Sequence, residues 1–429
     1  MKTTKGISGK IPGLLFGLVC FIAVVGCKQN AQHSIGVGNC FDHIRLRIFV
    51  KPGAEYEYSS EGFYNPDNTL QTTKRIKVAD KSLSPDFQNS DTRADSDKQF
   101  KPEVGSVFER EQAIERPVIG ADISFVPQEE AKGKKFSDNG VEKDVLEILK
   151  DHKFNWIRLR LFVDPDAENG YSRGGGGFCG LEKTLEMAKR VEAAGMKFLL
   201  NFHYSDTWAD PGKQFIPFAW KNLYGSALEG KIYSYTYETV ERFIAEGVRP
   251  DMVQVGNEIN NGMLWPVGKL PDGEEKVNSN QGMESFCILL RCASAAVRAA
   301  DPDIPIMVHI ACGGQNRESV AFFDKIISRD VKFDVIGQSY YPEYHGTLEN
   351  LEFNLNDLVK RYNKPIFVVE YNQNKKAVND IVHKIPNKMG LGTFIWEPTS
   401  PRWGGLFDHT GASNDSIDIY PELYRSYTK

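Results

Sequence analysis

Two glutamates in this chain each close an apolar run. Val253-Gln-Val-Gly-Asn-Glu-Ile-Asn260 reads as a strand until it breaks into a polar turn at Asn257-Glu258, and Pro365-Ile-Phe-Val-Val-Glu370 repeats the design more than a hundred residues later. A carboxylate carried by a buried strand to its open end is held rigidly and left accessible, as an acid/base catalyst requires. Two of them form the pair that hydrolysis of a glycosidic bond uses.

Such residues need a scaffold that gathers strand ends. From Arg116 onward, β-rich runs at 118–122, 155–160, 197–203, 252–256, 304–309, 333–339, 365–370 and 390–396 alternate with helical spacing at 140–152, 180–194, 232–246, 283–300, 320–329, 348–362 and 377–385. The pattern predicts parallel strands with crossover helices, and eight strands predict an α/β fold closed as a (β/α)8 TIM barrel over 116–429. The helix that should follow the last strand is weak in the sequence. Polar and aromatic residues collect where the strands end: Asp122, Arg158, Arg160, His203, Asp206, Asn257, Glu258, His309, Tyr340, Tyr341, Glu370, Trp396 and Glu397. Chemistry sits at that face of such barrels.

At 429 residues the chain has room for a large barrel with insertions, and a net charge of −5 leaves no basic stripe for nucleic acid. Its seven cysteines are scattered and none has zinc-site spacing, so neither a disulfide framework nor a metal or other cofactor is expected. Lys2, Lys5 and Lys10 precede an apolar run at 11–25 and the small residues before Cys27. This looks like a lipoprotein signal peptide over 1–27, with Cys27 as the lipid attachment residue. The mature protein is therefore expected to be extracytoplasmic and anchored to a membrane through its N-terminal lipid, at the outer membrane, the cell surface or the periplasmic face.

Residues 28–115 carry an internal echo. Phe41-Asp-His-Ile-Arg-Leu-Arg-Ile-Phe-Val50 tracks Phe154-Asn-Trp-Ile-Arg-Leu-Arg-Leu-Phe-Val163, and Ser90-Asp-Thr-Arg-Ala-Asp-Ser-Asp-Lys-Gln-Phe100 tracks Ser205-Asp-Thr-Trp-Ala-Asp-Pro-Gly-Lys-Gln-Phe215. Where the barrel has the apolar strand 197–203, the echo has a polar stretch broken by Pro85. We read this extension as a degenerate partial repeat, poorly ordered because two strands cannot close a barrel.

From Gly120-Ala-Asp-Ile-Ser124 to the end, the sequence resembles glycoside hydrolase family 53, the endo-β-1,4-galactanases. Long motifs carry the likeness: Ile157-Arg-Leu-Arg160, Phe202-His-Tyr-Ser-Asp-Thr-Trp-Ala-Asp-Pro-Gly-Lys-Gln214, Val253-Gln-Val-Gly-Asn-Glu-Ile-Asn-Asn-Gly-Met-Leu-Trp-Pro266, Phe333-Asp-Val-Ile-Gly337 and Ser339-Tyr-Tyr-Pro342. The resemblance implies Glu258 as acid/base and Glu370 as nucleophile of a retaining, endo-acting enzyme on pectic galactan or arabinogalactan. A polysaccharide is then the partner.

Around that pair, Asn257 is placed for the sugar 2-hydroxyl, and Arg158 or Arg160, two apart on one strand face, offers fixed positive charge for the nucleophile. Tyr340 or Tyr341 can donate to Glu370. His203 with Asp206 and Trp208 suggests sugar binding, Asp122 joins the same strand-end set, and Trp396 offers an apolar ring face, with Trp265 and Trp403 as candidates to extend it. The chain departs from the family after the nucleophile, reading Glu370-Tyr-Asn-Gln-Asn-Lys-Lys376 where many members insert a long loop that in some binds calcium. No calcium is expected here. Two alternatives remain at this point: a hydrolase for another β-linked plant glycan, and a surface lipoprotein that binds glycan without turnover.

Overall fold

The computed structural model describes residues 55–59, 73–77 and 117–429 with the exception of 174. The first two segments pair as an antiparallel two-stranded hairpin, Glu55–Ser59 with Thr73–Lys77, in a unit separate from the barrel. The leader 1–27, Cys27 and the two echo segments 41–50 and 90–100 lie outside the described residues.

Eight parallel strands close the barrel: β1 (Val118–Asp122), β2 (Trp156–Leu161), β3 (Lys197–Phe202), β4 (Met252–Val255), β5 (Ile306–Ile310), β6 (Val335–Ser339), β7 (Ile366–Tyr371) and β8 (Gly390–Trp396). β8 pairs back onto β1 from Gly392 opposite Val118 to Trp396 opposite Asp122. Nearly every strand residue is buried, because parallel strands are covered by barrel interior on one face and helices on the other. Their sequences are accordingly mostly apolar, interrupted by buried polar residues such as Arg158, Arg160, Gln254 and His309.

The covering helices are α1 (Val145–Asp151), α2 (Leu181–Ala193), α3 (Gly225–Ala245), α4 (Met283–Ala300), α5 (Asn316–Ile327), α6 (Leu348–Tyr362), α7 (Lys375–His383) and α8 (Ile419–Tyr427). α4 and α6 have the bounds that spacing predicts. α1 starts later than expected, at the Asp144 cap whose carboxylate accepts the Leu146 N–H at 2.8 Å, and the preceding residues form a small hairpin instead. α3 begins seven residues earlier than 232, since Gly225 and Gly230, which suggest a loop in sequence, both lie within the helix. The weakly signalled last helix is α8, reached after a long connection.

Inside the barrel the side chains form two storeys. Val118, Trp156, Leu199, Met252, Met307, Val335, Phe367 and Phe394 make an apolar floor from all eight strands. Side chains two and four residues further along a strand project into the same interior, one layer nearer the C-terminal mouth. Those positions hold Asp122, Arg158, Arg160, Asn201, Gln254, His309 and Ser339, all buried. Gly120 separates the storeys on β1 because a Cβ there would lie 2.3 Å from the Phe394 ring. The floor anchors the polar layer above it.

Candidate active site

A cavity of about 660 Å³ opens at the C-terminal mouth. Glu258 and Glu370 both line it, as do Asn257, His203, Arg160, Tyr341, Trp208, Trp396 and Trp403. One carboxylate oxygen of Glu258 and one of Glu370 lie within 4.8 Å of each other.

Glu370 sits in the regular strand β7, whereas Glu258 sits on a turn after β4 with left-handed backbone, φ 49° and ψ 49°. Gly256, at φ 90°, starts that turn. A non-glycine residue in this region costs on the order of 1–2 kcal/mol, so the surroundings must hold it. Gln214 does so from the loop after β3, its amide nitrogen donating to the carbonyls of Asn257 at 2.8 Å and Glu258 at 3.3 Å. Tyr204 and Glu397, which follow β3 and β8, have the same backbone sign.

Arg158 resolves the choice between the two arginines. Its Nη1 donates to Glu370 Oε1 at 2.8 Å and to Asp122 Oδ2 at 2.9 Å, its Nη2 to Asn257 Oδ1 at 2.7 Å and its Nε to Gln254 Oε1 at 3.1 Å. Arg160 points elsewhere, pairing with Asp122 Oδ1 at 3.1 Å and Glu397 Oε1 at 2.5 Å. Its guanidinium lies 4.3 Å from the Trp208 ring centre and 4.8 Å from that of Phe125. Carboxyls and guanidiniums thus alternate from Glu397 through Arg160, Asp122 and Arg158 to Glu370. The tyrosines also separate: the Tyr341 hydroxyl donates to Glu370 Oε2 at 3.1 Å, while that of Tyr340 donates to the Gly346 carbonyl at 3.0 Å and packs away from the cavity.

Burial raises the pKa of both carboxyls, but their partners differ. Glu258 is pushed well above the usual carboxylate range by burial and then by the neighbouring Glu370 charge, with one opposing hydrogen bond from Ser339 at 2.6 Å. Burial also raises Glu370, yet Arg158 and Tyr341 both oppose it. Glu370 is therefore the first of the pair to ionise. Burial likewise holds Tyr341 well above its ordinary range, aided by the Glu370 charge, so the phenol remains a donor.

Burial and the two arginines keep His203 a neutral imidazole. Its Nδ1 accepts the Ala209 N–H at 3.0 Å, which places the ring proton on Nε2. Asn257 donates one amide hydrogen to the Ala209 carbonyl at 2.9 Å and retains a second beside the cavity. Trp208, Trp396 and Trp403 form an aromatic wall, the ring centres of the last two lying 4.6 Å apart.

Four residues of the expected set do not line the cavity, and of these Arg158 acts on it through Glu370 and Asn257. Asp206 spends both oxygens on backbone N–H groups, Asp164 at 3.0 Å and Phe218 at 2.7 Å, and so shapes loops. Asp122 lies beneath the arginines, and Tyr340 packs as described. Trp265 anchors its loop, the indole N–H donating to the Asn261 carbonyl at 3.0 Å. Conversely, Gln254 and Ser339, and the strand-end residues His309 and Glu397 to which the sequence assigns no role, belong to the site's polar framework. Inward alternation on β4, β5 and β6 is the signal that identifies Gln254, His309 and Ser339.

The family model described as glycosyl hydrolase family 53 matches residues 27–115 and 118–380. An uncharacterized protein of Niallia circulans is 40% identical over 315 residues, 66% of this chain and 83% of that protein. An endo-beta-1,4-galactanase of Bacillus subtilis (strain 168) is 34% identical over 314 residues, 66% of this chain and 70% of that protein. Among solved structures, the Ignisphaera aggregans GH53 catalytic domain superposes with a TM-score of 0.64 at 34% identity, covering 72% of this chain and 96% of that one.

Arg158→Gln tests the electrostatics directly. The guanidinium favours ionised Glu370, so its loss should raise the Glu370 titration, read by NMR of carboxyl-labelled glutamate. It should also cost roughly 3–5 kcal/mol in urea unfolding by leaving buried carboxylates unpaired. An unmoved Glu370 titration would mean that burial alone sets it.

Proposed function

Because the chain belongs to glycosyl hydrolase family 53, we propose that its cavity performs endo-acting, retaining hydrolysis of β-1,4-galactosidic bonds, with pectic galactan or arabinogalactan as the substrate. The chain is a glycoside hydrolase, and its B. subtilis relative is named an endo-beta-1,4-galactanase. The observation that carries the mechanism is the close approach of the Glu258 and Glu370 oxygens, within 4.8 Å, with a cation and a phenol on Glu370 and a single neutral hydroxyl on Glu258. Retaining enzymes hold their carboxyl groups about 5–5.5 Å apart, whereas inverting ones leave about 6.5–9.5 Å for a water molecule.

In this reading Glu370, whose charge Arg158 and Tyr341 favour against the effect of burial, attacks the anomeric carbon. Glu258 gives its proton to the departing glycosidic oxygen, and the glycosyl–Glu370 ester forms. The now anionic Glu258 then takes a proton from water, which attacks the ester and frees Glu370. The remaining Asn257 amide hydrogen suits the sugar 2-hydroxyl, a contact that strengthens as positive charge builds on the ring. The indole faces of Trp396 and Trp403 offer apolar surface to the C–H face of a pyranose.

Linear β-1,4-galactan, followed by reducing-end release and by NMR of the first anomer formed, tests this. The parent chain should release the β-anomer first, and Glu258→Gln and Glu370→Gln should each lose activity by about a thousandfold or more. Turnover that survives Glu370→Gln would remove it as nucleophile.

Cys27 is proposed as the lipid-bearing first residue of an extracytoplasmic, membrane-anchored protein; the basic and apolar leader before it supports this. Cys27→Ala should move the protein from the membrane to the soluble fraction, and membrane retention would refute the anchor. Residues 28–115 are proposed as a degenerate partial repeat without a site of its own, supported by the family match over 27–115 beside that over 118–380. Deleting them should leave galactan hydrolysis within about twofold of the full chain. A larger loss would give the segment a part in the cleft or in stability.

A further inference from the structure

Glu258 Oε1 ends a chain of buried polar groups that runs back to Arg158: Ser339 Oγ at 2.6 Å, His309 Nε2 at 2.8 Å from that hydroxyl, and Gln254 Nε2 at 3.0 Å from His309 Nδ1. Ser339, His309 and Gln254 are all buried, and they come from β6, β5 and β4. Their hydrogen-bond directions follow from a single fixed point. Arginine only donates, and the Arg158 Nε–H meets Gln254 Oε1 at 3.1 Å. The Gln254 amide nitrogen therefore faces His309.

Of its two hydrogens one goes to the Gly256 carbonyl at 2.9 Å, and the other lies between His309 Nδ1 at 3.0 Å and Asn257 Oδ1 at 3.2 Å. Asn257 Oδ1, 3.2 Å from His309 Nδ1, already accepts from Arg158 and Asn201. His309 Nδ1 is thus an acceptor, and the proton of the neutral ring is on Nε2. That N–H points at Ser339 Oγ, which leaves the serine's own hydrogen for Glu258.

We propose that Ser339 and His309 are positioning residues that hold a donor on Glu258 Oε1, so that the transferable proton is carried by Oε2 and the anionic carboxylate is stabilised for the second, water-activating half of the reaction. The inference rests on Glu258 being the acid/base. Arg158 then acts on both carboxyls, directly on Glu370 and through Gln254, His309 and Ser339 on Glu258. Burial keeps His309 neutral, with Arg158 and the other histidines adding to the effect, so the chain carries no charge of its own into the cavity. The other charged or titratable groups facing Glu258 are Glu370, Asp210, Arg158 and Tyr341.

The basic limb of the kcat/KM pH profile reports loss of the Glu258 proton in the free enzyme. A hydrogen bond to a charged group supports a shift of about one pH unit, so Ser339→Ala should move that limb up by about that much. His309→Phe should move it about half as far, because the serine hydroxyl remains but is no longer oriented. The double variant should go no further than Ser339→Ala alone, and Ser339→Thr should keep the parent limb. Additive shifts, or an unmoved limb in Ser339→Ala with only KM or thermal midpoint altered, would overturn the proposal. Titration of carboxyl-labelled glutamate in a Glu370→Gln background, with Glu258→Gln for assignment, reads the same shift without substrate. A chain that hydrolyses no galactan would defeat the functional reading, whereas an unshifted Glu258 titration would defeat this one.

Discussion

The Arg158 guanidinium is the interaction on which the rest of the site depends. It is fully buried and meets four acceptors gathered from three strands: Asp122 on β1, Gln254 on β4, Asn257 just after β4 and Glu370 on β7. Taking such a cation out of water costs several kcal/mol, and that cost is offset only when carboxylates and neutral acceptors saturate the planar fork. Asp122 therefore has a reason to exist that involves no sugar. It pairs with both Arg158 and Arg160, leaving Arg158 free to share its Nη1 hydrogens with Glu370.

The two storeys of the barrel follow from the same constraint. A polar layer this dense would not hold itself together, since each member is correctly placed only if its neighbours are. The apolar floor of Trp156, Met307, Phe367 and Phe394 supplies strand register that does not depend on any hydrogen bond in the site. Where strands β3, β4 and β8 leave the barrel, Tyr204, Glu258 and Glu397 take left-handed backbone conformations. Strain of this kind at three points around the cavity is carried by the floor beneath it.

Much of this was legible in sequence, for identifiable reasons. Long apolar runs such as 118–122 and 390–396 mark buried parallel strands, and both have the structural bounds that spacing predicts. The two glutamates were visible because each interrupts such a run. Hydrogen-bond assignment was not visible: Arg158 and Arg160 share a strand face, and only the third dimension shows that the ring faces of Trp208 and Phe125 and the carboxylate of Glu397 draw Arg160 away from Glu370. Asp206 looked like a sugar ligand because it lies in a motif with His203 and Trp208, but its oxygens meet backbone N–H groups set by loop geometry that spacing cannot supply. His309 and Ser339 carry ordinary strand-end signals and gain meaning only when β5 and β6 are brought beside β4.

The unlike mounting of the two carboxyls also bears on how one pocket supports opposite duties. Burial alone would raise both pKa values alike and leave neither group ready to attack. Glu370 is fixed within a strand and receives a cation and a phenol, which lower the cost of its charge. Glu258 stands on a turn and receives a single neutral hydroxyl, so it keeps its proton longer. Under the proposed roles, the first half-reaction would reverse the electrostatics of the pair, since an ester at Glu370 would remove the charge that favours a protonated Glu258. Glu258, having given up its proton, no longer faces a neighbouring anion and is stable as a base. On that proposal the difference between the sites can be modest, because the covalent step itself would switch the second carboxyl from acid to base.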